Sequence, residues 1–141
     1  GSILPDVPRH LPALMRAAAL QKAAARVGFD WEEPEHILEK IAEETDELRD
    51  ELRQNASHER LKDEVGDLLF AVVNLARRLD VGAEEALNGT VRKFRTRFRH
   101  VEEALAERGR TPEEATLAEM DALWDEAKEY EYGDRSQYRH R

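Results

Sequence analysis

Apolar residues recur at helical spacing along most of this chain. Ile37, Ile41, Leu48 and Leu52 fall on one stripe of a helix, and Leu61, Val65, Leu68, Val72 and Leu79 on one stripe of the next. Leu87, Val91, Phe94, Phe98, Val101 and Leu105 then alternate at spacings of four and three, the heptad seam of another helix. Ahead of these, Leu14, Met15 and Leu20 run with Ala17-Ala18-Ala19 and Ala23-Ala24-Ala25; behind them come Leu117, Met120, Leu123, Trp124 and Ala127. Punctuation agrees with the periodicity. Pro12 is placed to open the first helix and Gly28 to end it, Pro34 starts the second, and Gln54 to Ser57 make the turn into the third. Gly82 caps the fourth with Glu85 in its first turn, and the capping box Thr111-Pro112-Glu113-Glu114 begins the last. The pattern predicts an all-α fold, a bundle of about five helices built on an antiparallel hairpin of the second and third. From Leu68 to Ala76 the third helix is apolar almost all the way round, so it needs cover on more than one face. A second subunit supplies that cover most simply, and a homodimer or larger assembly is expected.

The hairpin also gathers charge. At 100° per residue, Glu44 projects roughly 60° and Glu47 roughly 120° to one side of Ile41, and Glu64 and Asp67 stand at roughly the same offsets from Leu61. An antiparallel pair packed stripe to stripe brings these four acids together at the edge of the seam. Carboxylates at such range raise one another's pKa unless a cation lies among them, and hard oxygen ligands suit Mg²⁺ or Mn²⁺. In a chain with 31 Asp and Glu the plainer alternative is a solvated acidic face, but the matched second pair favours a metal site.

Other side chains have two readings each. Trp31, in the loop before Pro34, is either a core plug or an aromatic that stacks on a base. Asn74, two turns beyond Asp67 on the acidic flank, is either a satisfied buried amide or a substrate contact. On the fourth helix Arg92, Arg95 and Arg99 take one flank of the seam and Lys93 and Arg97 the other. Lys93 and Arg97, one turn apart, can grip a polyphosphate, the Lys as a point charge and the Arg as a fork; the alternative is a basic solvated face. Trp124 and Lys128 share a face of the last helix, one turn apart, and read locally as a core Trp beside a solvated Lys.

Composition narrows the class. With 40% hydrophobic and 6% aromatic residues, rich in Ala, Leu, Glu and Arg, the chain suits helices and a modest core. A net charge of −9 disfavours binding to a nucleic-acid polymer or an acidic membrane surface. There is no cysteine, hence neither a disulfide nor a thiolate metal site. No run reaches the length of a membrane span and no leader pattern is present, so a reducing cytoplasm is the expected location. Gly1-Ser2 reads as a tag remnant; residues 1–10, with Pro5 and Pro8, as an irregular lead-in; 11–132 as one domain; and 133–141 as a flexible polar tail.

Four segments together, Val27-Gly28-Phe29-Asp30-Trp31, Glu43-Glu44-x-x-Glu47, Asp63-Glu64-Val65-Gly66-Asp67-Leu68-Leu69-Phe70-Ala71-Val72-Val73-Asn74-Leu75-Ala76-Arg77 and Arg92-Lys93-Phe94-x-x-Arg97-Phe98, resemble the MazG family of nucleoside triphosphate pyrophosphohydrolases. The resemblance runs from about Leu11 to Lys128 and is strongest to the catalytic C-terminal half of full-length MazG. It implies an all-α pyrophosphatase fold and hydrolysis of a nucleoside triphosphate between its α- and β-phosphates. It implies further that Glu44, Glu47, Glu64 and Asp67 hold Mg²⁺, that Glu43 orients or deprotonates the water, that Lys93 and Arg97 take the pyrophosphate, and that Trp124 and Lys128 close over the nucleotide. Two departures stand out. Full-length MazG carries two such domains and one is present here, and Ala17 to Ala19 stand where polar substrate-facing groups are expected, leaving Lys22 as the nearest cation of the first helix. The alternatives are a non-catalytic helical module for dimerisation or partner binding, and a narrower pyrophosphatase for dUTP or a modified nucleotide; nothing in the residues fixes base choice.

Overall fold

The computed structural model describes residues 1–135, with side chains as far as Glu131. It holds five α-helices and, among the described residues, no strand: α1 (Ala13–Ala25), α2 (Pro34–Arg53), α3 (His58–Arg78), α4 (Ala83–Glu107) and α5 (Leu117–Arg135), with a 3₁₀ turn at Pro112–Glu114. Contacts divide the chain into two compact units, Gly1–Leu87 and the residues from Asn88 on, where the sequence reads as one domain over 11–132. No helix among the described residues is long and apolar enough to cross a membrane.

Four helices end by one device. After α1, the Gly28 N–H donates to the Ala25 carbonyl and the Phe29 N–H to the Ala24 carbonyl, with Gly28 at φ +91°. Asn55 after α2, Asp80 after α3 and Gly109 after α4 repeat the paired bonds with φ of 55°, 59° and 68°. Each is a Schellman cap on a left-handed residue, which glycine adopts freely and Asn and Asp tolerate best among the rest. The turn into α3 lies at 54–57, and Ser57 Oγ accepts from the Arg60 N–H at 3.2 Å, the N-cap that starts the helix.

In the first unit α3 packs on both α1 and α2. That double packing rotates the buried faces away from the stripes the periodicity marks. Ile37 is buried and Ile41 and Leu48 half-buried, but Leu52 is exposed; on α3 Leu61 and Leu68 are half-buried, whereas Val65, Val72 and Leu79 are exposed and Val73 is the buried residue. Glu44, Glu64 and Ala71 share in the covered faces. Glu44 and Glu64 therefore stand within the seam, while Glu47 and Asp67 stay exposed at its edge. Leu69 and Phe70 remain exposed with Val65 and Val72, so the apolar run on α3 is only partly covered within the chain.

The second unit has a core of Val101 and Leu105 from α4 and Leu123 from α5, with Ala104, Ala115, Met120 and Trp124 packed against it. Only the later part of the heptad seam is buried, since Val91 and Phe94 are exposed. The Thr111 capping box forms, but around the 3₁₀ turn; an extended Ala115 then breaks the chain direction. The last helix begins five residues after Pro112, at a second box the sequence reading missed, in which Thr116 Oγ1 accepts from the Glu119 N–H at 3.1 Å and Glu119 Oε1 accepts from the Thr116 N–H at 3.4 Å. Helix α5 runs to Arg135, three residues into the stretch read as a tail, and 136–141 lie outside the described residues.

Candidate functional site

The hairpin brings one carboxylate oxygen each from Glu44 on α2 and Glu64 and Asp67 on α3 within 4.8 Å of one another. The spacing of three between Glu64 and Asp67 puts both on one flank of α3, and the antiparallel turn sets that flank against Glu44. Loss of hydration, then the charges of Glu51, Glu47, Asp67 and Glu44, push the Glu64 carboxyl above its ordinary value. Glu47 lies outside the group of three, although its charge reaches Glu64. Glu43 is exposed on α2. The Lys40 ammonium stands 3.3 Å from Glu44 Oε1, and that hydrogen bond and the charges of Glu44, Glu43 and Glu47 raise its pKa. The other oxygen, Glu44 Oε2, is closed from solvent and has no hydrogen-bond partner. So is Glu51 Oε2, while Glu51 Oε1 accepts from Arg60 Nε at 2.6 Å. Clustered carboxylates with an orphaned buried oxygen are the donor set that a hard divalent cation satisfies, and Glu44, Glu64 and Asp67 fit one.

Glu44 and Asp67 also line a cavity of about 700 Å³. Leu20, Ala24, Phe29, Trp31, Ile37 and Phe70 make most of its wall apolar, and Gln21, Lys40 and Asn74 add polar groups. A chamber of this size, apolar with a few placed polar groups, takes a small organic ligand. Trp31 is 41% exposed in that wall rather than a core plug, and its loop is fixed by Asp30, which accepts from the Trp31 N–H at 2.8 Å and from Arg77 Nη2 at 2.5 Å. Lys22, on α1, is exposed and not among the lining residues.

The remaining candidates fall in the second unit. Arg97 makes a forked ion pair with Glu131, from Nε to both carboxylate oxygens at 3.1 and 3.2 Å and from Nη2 at 2.8 Å. Its guanidinium also lies 5.7 Å over the Trp124 ring, which meets Phe94 at 5.2 Å. Lys93 is half-buried and Lys128 exposed. Sequence reasoning missed Lys40, Glu51, Arg60 and the Asp30–Arg77 pair. The first two were legible as positions four residues before Glu44 and four after Glu47; the pair joins residues 47 apart and left no local signal.

The family model of the MazG nucleotide pyrophosphohydrolase domain matches residues 32–102, half of the chain. The chain belongs to the MazG family. The MazG match takes in α2 and α3 whole and most of α4, hence all five acids with Asn74, Lys93 and Arg97, and leaves Lys22, Trp31, Trp124 and Lys128 outside. A nucleoside triphosphate pyrophosphohydrolase of Escherichia coli K12 is 47% identical over 131 residues, 92% of this chain and 50% of that protein. The nucleoside triphosphate pyrophosphohydrolase/pyrophosphatase MazG of Thermotoga maritima is 42% identical over 118 residues, 84% of this chain and 45% of its own. The protein YabN of Bacillus subtilis is 49% identical over 93% of the chain and 27% of its own length. The chain thus spans about half the length, or less, of these MazG relatives.

Proposed function

We propose that this MazG domain hydrolyses nucleoside triphosphates to the monophosphate and pyrophosphate, with Mg²⁺ as cofactor and Mn²⁺ as substitute. The observation that supports it is the convergence of Glu44, Glu64 and Asp67, of which Glu44 and Asp67 line a cavity large enough for a nucleoside, in a chain whose relatives carry that activity in their names. Glu44, Glu64 and Asp67, with Glu47 as the fourth, would hold the ion. Bound there, Mg²⁺ neutralises phosphate oxygens and lowers the pKa of a water. Glu43 would orient the attacking water or take its proton. Lys93 and Arg97 bind the leaving pyrophosphate, where charge builds as the anhydride breaks. Trp31 and Asn74 receive the nucleoside, Trp124 and Lys128 are further substrate contacts by family resemblance, and Lys22, outside the cavity lining, is a further cation for the triphosphate. The uncovered apolar residues of α3, Val65, Leu69 and Val72, support a homodimer that buries them. In that role the enzyme would work in the cytoplasm, clearing nucleotides rather than acting on nucleic-acid polymers or membranes.

The test is pyrophosphate release from the common ribo- and deoxyribonucleoside triphosphates, with Mg²⁺ and with a chelator. Turnover should require the ion, and Glu64→Ala should lower it by at least about 100-fold with the helical content kept. Activity confined to dUTP would narrow the reading. No release from any triphosphate would leave a binding module, and a Glu64→Ala variant as fast as wild type would end the site assignment. Light scattering at micromolar concentration checks the dimer.

A further inference from the structure

Two amide side chains line the cavity, and the partner of each decides which end of the amide is left for a ligand. Gln21 on α1 is 7% exposed, and its Nε2 donates to the Phe70 carbonyl at 2.9 Å. A carbonyl oxygen only accepts, so the NH₂ is the end spent on α3. The end that remains is Oε1, buried and without a hydrogen-bond partner. An acceptor buried unmet is costly, and an arriving N–H relieves that cost.

Asn74 is set the other way. Arg77 Nε donates to its Oδ1 at 3.0 Å, and a guanidinium only donates, so the oxygen is the end that is held. The NH₂ of Asn74 has no acceptor among the described residues and is the end left for a ligand of the cavity. Arg77 has little freedom to release it, because its Nη2 is held at 2.5 Å by Asp30, which Arg78 also faces at 3.7 Å.

We infer that Asn74 and Gln21 are a donor and an acceptor that together read the polar edge of a nucleobase, and that Arg77, clamped by Asp30, is the positioning residue that keeps Asn74 a donor. The inference rests on the reading of this cavity as the seat of the nucleoside. Its chemistry is that of a pairing edge. Each of the four bases carries an acceptor beside a donor on its pairing edge: N1 and the 6-amino group of adenine, N3 and the 4-amino group of cytosine, O6 and N1–H of guanine, O4 and N3–H of uracil. The order of the two is exchanged between the amino bases and the keto bases, so each class meets the fixed pair with its edge turned the opposite way, and either loses a contact when its edge lacks one member. Purine riboside triphosphate is that case, since it keeps N1 for Asn74 and offers only C–H to Gln21.

The experiment is steady-state pyrophosphate release with Mg²⁺ from ATP and from purine riboside triphosphate, by wild type and by Asn74→Asp, Arg77→Met and Arg77→Lys. For wild type the KM for purine riboside triphosphate should exceed that for ATP by about five- to tenfold, the worth of one neutral hydrogen bond. Asn74→Asp still accepts from Arg77 but has no N–H to give, so its KM for ATP should rise by a similar factor, with kcat within about twofold. Arg77→Met, which frees the amide to turn, should move KM in the same direction, and Arg77→Lys, still a donor, should recover most of it. Equal KM values for the two triphosphates in wild type, which need no variant to fold, would overturn the pair. An Asn74→Asp KM equal to wild type, or an Arg77→Met variant that loses kcat and not KM, would overturn the positioning role. Absence of pyrophosphate from every triphosphate would overturn the proposed function with it.

Discussion

The two units of this chain spend their polar groups in opposite ways. In the second, Arg97 is forked onto Glu131, Arg110 is paired with Glu119 and bonded to the Glu114 carbonyl, and the apolar core of Val101, Leu105 and Leu123 lies closed beneath. In the first, three carboxylates crowd one spot, oxygens of Gln21, Glu44 and Glu51 are buried without partners, and a cavity separates apolar side chains that could otherwise touch. Charge crowding, orphaned acceptors and empty volume each cost stability. The buried polar atoms without a hydrogen bond fall mostly in the first unit, which marks where binding has been favoured over packing; the second keeps its arginines paired and leaves His100 Nε2, 3.3 Å from Glu126, as its one such atom among the described residues.

The largest test of this contrast is Glu64→Gln. It removes a ligand and a repelling charge with almost no change of shape. Turnover should fall by about 10²–10³, while the melting temperature of the metal-free protein should rise, because the carboxyl that crowding and lost hydration push upward is gone. A melting temperature that falls instead would mean that the acids are held by native hydrogen bonds and not poised for a cation. Leu105→Ala is the counterpart in the second unit. Leu105 is fully enclosed, so its truncation should cost about 2–5 kcal/mol by chemical denaturation. Equal losses from Leu105→Ala and from Glu64→Gln would erase the distinction.

Within the first unit the Asp30 clamp pairs its charges well, with both Arg77 and Arg78 facing one carboxylate. Burial there opposes ionisation, but the hydrogen bonds from Arg77 and the Trp31 N–H and the charges of Arg77 and Arg78 outweigh it and hold the carboxyl below its ordinary 3.8. With the folded value depressed, the stabilisation is fully present above the unfolded value and is lost as pH falls through the folded one. Asp30→Asn should therefore cost about 1–2 kcal/mol at neutral pH, and the gap between wild type and variant should close only as the pH drops below 3.8. A gap that closes near pH 6 would place the effect on another group.

Much of this was legible in the residues. The turn at 54–57 and the convergence of acids from α2 and α3 follow from local geometry, since a hairpin with a short turn has little freedom. The rotation of the seam was not legible, because α3 is apolar nearly all round and its pattern cannot say which face meets which neighbour. Val65 and Val72 stood in the wrong stripe for that reason, and Val73 outside it. The start of α5 was misplaced because two capping boxes lie five residues apart and the nearer one closes only a 3₁₀ turn. Of the site, the acids on one hairpin were within reach; the Asp30–Arg77–Asn74 chain, across 47 residues, was not.

The smallest effect sharpens the contrast from the side of the second unit. In the proposed function Arg97 grips the leaving pyrophosphate, yet the fork that would do so is occupied by both oxygens of Glu131, a pairing that also raises the Arg97 pKa. One guanidinium edge cannot serve a carboxylate and a phosphate at once, so a phosphate that takes the Nε–Nη2 edge has to displace Glu131. Glu131→Gln keeps the shape and weakens the competitor. The KM for ATP should fall about threefold with kcat nearly constant, the scale of a partly exposed ion pair. The Trp124 ring beneath Arg97 should hold the guanidinium in place meanwhile, which separates competition from loss of order. A KM that rises would assign Glu131 the opposite part, that of aiming Arg97 at the phosphate, and the paired charges of the second unit would then belong to binding as much as to stability.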